Sequence, residues 1–188
     1  AVFVTGRSRP SFRRTTAHGG SGPAVDVGGG AAPTFEVLDV IATNHRGLLI
    51  SGATGTYDDV TVATGTRNEE AGVVVESGAD PLLRRLVVRG GKGAGVLVSS
   101  GASGTFDGGE VEGCAGTGIK VEGDATPVLQ GLDVHHVNRD GIKVSGGGDP
   151  LVRSVHLHHL KEDGMHIFGT GRGTYEDLEI DHTWCSGI

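Results

Sequence analysis

Apolar residues recur along this chain at fixed places within a unit of 23 residues. Counting the first residue of each unit as position 0, position 1 is Val2, Val25, Leu48, Val73, Val96, Ile119, Ile142 and Met165, with Ile188 opening a ninth unit. Position 3 is Val4, Val27, Ile50, Val75, Val98, Val121, Val144 and Ile167. Apolar, mostly β-branched residues two apart mark one face of a short strand. Position 11 gives Phe12, Phe35, Leu83, Phe106, Leu129, Val152 and Tyr175, and position 16 gives Ala17, Val40, Val88, Val111, Val134, Leu157 and Ile180. Position 14 is apolar except at Thr15 and Gly109. The unit starting at Gly47 has 25 residues; Tyr57 and Val62 fall one place early in it, and the extra residues enter in the stretch ThrGlyThrArgAsnGluGlu.

Each unit therefore predicts three short strands separated by bends rich in Gly, Pro, Asp and Asn. Nothing between them is long or periodic enough for a crossover helix. Strands that repeat identically without helices can pair only with their copies in the next unit. The expected fold is all-β: a right-handed single-stranded parallel β-helix of about eight rungs with three parallel sheets around a stacked apolar core. At about 4.8 Å per rung the rod is about 38 Å long. A leucine-rich repeat is disfavoured, because apolar residues recur at three places and the Leu/Asn signature of that repeat is missing.

Position 9 carries Pro10, Pro33, Pro81, Pro127 and Pro150, or else begins a Gly-Thr-aromatic triplet at Gly55, Gly104 and Gly173. Both give a sharp entry into a short strand, one by a fixed φ and the other by freedom at positive φ. Just after the inward aromatic position runs a column of Arg13, Glu36, Asp58, Arg84, Asp107, Gln130, Arg153 and Glu176. Its neighbours mostly alternate in sign, which pins the register.

Thirty-five glycines accompany 36% hydrophobic residues, and the periodic apolar set argues against disorder. The net charge of −7 and the lack of a basic block argue against nucleic acid or an anionic membrane surface as partner. No apolar run approaches the ~20 residues of a membrane span. Cys114 and Cys185 fall three rungs apart, roughly 14 Å, beyond disulfide reach. Two free thiols suggest a reducing, cytoplasmic setting. Both ends stop at unit boundaries, so residues 1–188 are expected to be a single β-helix domain within a longer protein.

Candidate chemistry concentrates in the later units. His135 and His158 share position 17 with Asp181 and His18; His136, His159 and His182 share position 18; Asp133, His156 and Glu179 share position 15. Stacked imidazoles are zinc-ligand material. The preferred reading is a polar ladder with no metal and no cofactor, because a metal needs ligands converging on a point and a ladder spreads them along a line. Asp140 and Asp163 each precede a glycine, with Lys143 and His166 three residues on. Lys120, Lys143 and His166 form one outward column, continued in earlier units by the aliphatics Leu49, Val74 and Leu97. Three outward aliphatics in a row suggest a covering partner or another part of the parent chain.

The pattern Gly-Ile-x-Val … Pro-x-Leu … Leu-x-Val-x-His, alternating with Gly-Thr-aromatic units, resembles the pectate-lyase-like superfamily, and within it the CASH branch. It is similar to β-helix modules of an F-box substrate receptor and of actinobacterial proteins fused to AAA-type ATPases. The resemblance implies a β-helix over the whole chain. The enzyme signatures of that superfamily are not matched: there is no calcium-binding acidic cluster of a lyase, and Asn138-Arg139-Asp140 is the nearest approach to a polygalacturonase motif. The expected function is thus a non-catalytic recognition or scaffold module for a protein or glycan partner. Its contact surfaces would be Lys120, Lys143 and His166; His135, His158 and Asp181; and Leu49, Val74 and Leu97. The alternative is a polysaccharide lyase, hydrolase or epimerase with Asp140, Lys143, His158, Asp163 and His166 as its acid/base set.

Overall fold

The computed structural model describes residues 1–42 and 44–185, so the ninth-unit residues Gly187 and Ile188 lie outside the described part. Among the described residues the chain forms nineteen strands and no helix. Every pairing is parallel and joins a strand to its copy one unit away. The result is a right-handed parallel β-helix of eight coils, numbered here from the N-terminus.

The first strand of each coil, such as Val73–Glu76 or Ile142–Val144, joins an eight-stranded sheet running in chain order. The second and third strands, expected as two sheets, are joined by hydrogen bonds into one eleven-stranded sheet. In coils 1 to 3 they remain separate, as in Ser11–Phe12 and Thr15–His18. From coil 4 onward they merge into the long strands Leu82–Gly90, Thr105–Glu112, Val128–His135, Leu151–Leu160 and Thr174–Thr183. The bend inside each carries a left-handed residue: Arg85 at 51°, Gly108 at 72° (followed by Gly109 at 137°), Gly131 at 62°, Ser154 at 52° and Asp177 at 50°. A single left-handed residue turns the strand and leaves the ladder intact on both sides, and for a non-glycine it costs roughly 1–2 kcal/mol.

The predicted inward positions make the core. Val27, Ile50, Val75, Val98, Val121 and Val144 are fully buried, as are Phe35, Tyr57, Leu83, Leu129 and Val152. Aromatic rings stack along the axis, Phe12 on Phe35 at 4.5 Å between centroids and Phe35 on Tyr57 at 5.5 Å. Burying such a side chain contributes roughly 1.5–3 kcal/mol. At the first bend a column of small residues, Ala31, Ala53, Ala79, Ala102 and Ala125, is buried throughout. The charge column pairs as its signs require: Arg13 with Glu36 at 3.1 Å, Arg84 with Asp58 at 3.5 Å, and Gln130 donating to Asp107 at 2.8 Å.

The insertion in coil 3 folds back on the first sheet. Asn68 is fully buried; its side-chain oxygen accepts from the Glu70 amide at 3.0 Å, and its carbonyl accepts from the Lys92 amide at 2.7 Å. The Glu70 carboxylate in turn reaches Arg46 and His45.

Candidate functional site

The outward column of the first sheet falls into two parts. Leu49 and Leu97 are half-buried, but Val74 is only 1% exposed. The strip was expected to be covered, and at Val74 a cover is present. The coil 3 insertion, unique among the units, brings Glu69, Glu70 and Ala71 alongside it, and together with Leu97 and Lys120 these residues line a depression of about 260 Å³. The cover is the chain's own.

The second part carries charge. Lys120 pairs with Glu122 at 2.8 Å. Lys143 Nζ and His166 Nδ1 stand 3.4 and 3.5 Å from the same oxygen, Oδ2 of Asp140. The Asp140 side chain is 2% exposed, and its Oδ2 has no hydrogen bond among the described residues, although both nitrogens lie close. Asp163 Oδ2 lies 4.0 Å from His166 Nδ1, and its backbone N–H donates to Asp140 Oδ1 at 3.4 Å. The exposed ring of Phe168 completes the group, 5.1 Å from Lys143 Nζ and 5.0 Å from the His166 ring. Asp140 is buried because it closes the corner between coils, where its carbonyl accepts from the Gly118 amide.

His158 does not belong to this group. It sits at the far end of the long strand Leu151–Leu160, in a second cluster built from the His and acid columns. There each position 17 side chain meets the position 15 side chain of the coil before it. His135 Nε2 lies 2.8 Å from Glu110, His158 Nε2 3.0 Å from Asp133, and His156 Nε2 3.0 Å from Asp181. A carboxylate can only accept, so each imidazole donates from Nε2. The pairings hold Glu110 below the usual carboxylate range, chiefly through the hydrogen bond from His135. Asp181 is lowered to about 2 by His156 and then His182, while His156 is raised by Asp181.

The third column turns back on the second. His136, His159 and His182 have φ of 52°, 53° and 47°, where the same column in coils 4 and 5 holds Gly90 and Gly113. Successive strand residues ordinarily face opposite ways. The left-handed turn brings His136 Nδ1 to 2.7 Å from His135 Nδ1, and His159 Nδ1 to 2.6 Å from His158 Nδ1. Parallel stacking continues along the column, with 4.8 Å between His136 and His159 and between His159 and His182. His159 is held below the ordinary imidazole range by partial loss of solvent, then by His182, His136 and His158.

The predicted residues thus divide into two constellations: Lys120, Lys143, His166, Asp140 and Asp163 on the first sheet, and His135, His158 and Asp181 at the outer end of the second. Two contributors, Glu110 and Phe168, escaped the sequence reading. Glu110 stands one unit before Asp133 in the same column, and Phe168 follows His166 at the alternation that faces it outward; both signals were present.

The family model for the right handed beta helix region matches residues 47–188. No curated protein matches the chain. Among solved structures, the crystal structure of the bacteriophage CBA120 tailspike protein 2 enzymatically active domain is similar at 11% identity and a TM-score of 0.47. That alignment covers 98% of this chain and 35% of the tailspike chain, so the chain spans about a third of its length.

Proposed function

Because the chain belongs to the right-handed β-helix family, we propose that it is a recognition module that lays the outward face of its first sheet against an extended glycan. The supporting observation is the row Lys120, Lys143 and His166, held in whole-coil register and ending at the exposed ring of Phe168. Hydrogen-bonding groups at rung intervals read the hydroxyls and carboxylates of a sugar chain, and the exposed Phe168 ring offers an apolar stacking surface for a sugar ring. The carboxylates beside the row, Glu122, Asp140 and Asp163, favour hydrogen bonding over bulk charge attraction. A depression of about 540 Å³ lies at the bends of the last coils between Asp124, Gly147 and Arg172. It is separate from the row, whose side chains are spaced along a sheet face over three coils, a form suited to a long ligand rather than an enclosed small molecule.

A second reading, a glycan-active enzyme, is favoured by Asp140. A buried carboxylate oxygen without a hydrogen bond, beside a lysine and a histidine, is material for proton transfer. Asp163 supplies a second carboxylate; His158, in the other cluster, leaves that set. Incubating the purified chain with neutral and acidic polysaccharides separates the two readings: retention without new reducing or unsaturated ends supports recognition, and product that vanishes in Asp140→Asn supports catalysis.

A further inference from the structure

We propose that His158, His159 and Asp181 bind a borderline divalent metal ion of the zinc class at the outer edge of coils 7 and 8. The ladder reading rests on ligands spread along a line. The left-handed turn at His159 replaces that line with a point, since the Nδ1 atoms of His158 and His159 face each other at 2.6 Å. One ligand atom each from His158, His159 and Asp181 lies within 4.8 Å of the other two. Zinc bonds of about 2.0–2.2 Å place tetrahedral ligands roughly 3.3 Å apart. Metal binding therefore requires the imidazole pair to open from 2.6 Å and the carboxylate to close in.

Two further observations favour a metal over a shared proton. His158 donates from Nε2 to Asp133 at 3.0 Å, which fixes its tautomer and leaves Nδ1 with an unprotonated lone pair turned toward His159 Nδ1. A carboxylate–histidine pair behind a metal-binding nitrogen is the usual outer support of a zinc ligand. His156 supports Asp181 in the same way from its other side, at 3.0 Å. The second observation is backbone strain. His159 holds a φ of 53° where coils 4 and 5 place Gly90 and Gly113, residues with no Cβ penalty at positive φ. Three bonded protein ligands leave a fourth position for water or for His182, which already contacts Asp181. Among the described residues, the step from coil 7 to coil 8 is where a paired set of Nδ1 atoms meets a carboxylate at position 17; one coil earlier that place is His158.

The test is calorimetric titration of Zn²⁺ into chelator-stripped protein, with Trp184, exposed and three residues from Asp181, as a fluorescence reporter. Wild type is expected to bind at one saturable site, with Ca²⁺ and Mg²⁺ failing to compete. His159→Gly relieves the left-handed strain, so its metal-free melting temperature should equal or exceed that of wild type while Zn²⁺ affinity falls at least about tenfold. Asp181→Asn should weaken binding by a similar factor, and His136→Gly should not. Absence of Zn²⁺ binding overturns the proposal, and so does binding that His159→Gly and Asp181→Asn leave unchanged.

Discussion

Gly104 sits directly on Pro81 of the preceding coil: a Cβ at Gly104, whose φ is 98°, would approach both the Cδ and the carbonyl oxygen of Pro81 to 2.9 Å. The alternation of proline and Gly-Thr-aromatic units is therefore a packing relationship as well as a backbone one. Gly55 lies on Pro33, and Gly173 lies on Pro150 with the Tyr175 hydroxyl close by. Gly104→Ala is expected to destabilise by about 1–3 kcal/mol through overpacking and strain. Ser154→Gly, at a left-handed bend with φ of 52°, is expected to stabilise by up to about 1 kcal/mol. Urea denaturation of both variants checks the opposite signs.

Asp140 supports the first-sheet row from beneath. Its removal leaves Lys143 and His166 without the carboxylate they share. Asp140→Ala is expected to cost about 1–3 kcal/mol of stability and to weaken glycan retention, because the row loses its positioning anchor. Phe168→Ala, at an exposed ring, is expected to keep stability within about 0.5 kcal/mol and weaken retention alone. Thermal melts beside an affinity-gel assay separate the two effects.

The two thiols should differ sharply. Cys114 is buried, and burial followed by the Glu112 charge pushes its pKa up to about 12, so little thiolate forms near neutrality. Cys185 is exposed. Alkylation of native protein at pH 8 should label Cys185 alone, with Cys114 reacting after denaturation, as read by intact mass and peptide mapping.

Glu110 has a carboxyl pKa lowered first by the His135 hydrogen bond and then by Arg89. A depressed acid contributes stability above its unfolded pKa, about 4.3, and loses that contribution as pH falls through its folded value. Glu110→Gln should thus melt below wild type at neutral pH, and the gap should narrow as pH drops below about 4. A gap that widens in acid would contradict the pairing.

Much of the fold was legible because the coil repeats its inward residues: the column from Val27 to Val144 places a β-branched aliphatic side chain, five valines and Ile50, at the same height six times. The merging of the second and third strands was not legible. The left-handed bend recurs at Arg14 and Asp59, where the strands stay separate, and at Arg85 and Ser154, where they join, and none of these residue types announces it. The burial of Val74 followed from a single insertion whose path no repeat predicts. The histidine columns were plain in the sequence, but the convergence of His158 with His159 was not, because strand alternation predicts opposite faces. Asp140 and His166 came together as their spacing suggested, since one coil brings positions 22 and 2 to the same corner.

Glycan retention is the most direct test of the central claim. The purified chain should be passed over immobilised neutral and acidic polysaccharides beside Phe168→Ala and a Lys120→Ala/Lys143→Ala double variant, with the eluate assayed for cleaved ends. The account predicts retention of wild type on at least one polymer, weakened in both variants, with no cleavage. Release of product that depends on Asp140, or equal behaviour of wild type and variants on every polymer, would contradict it.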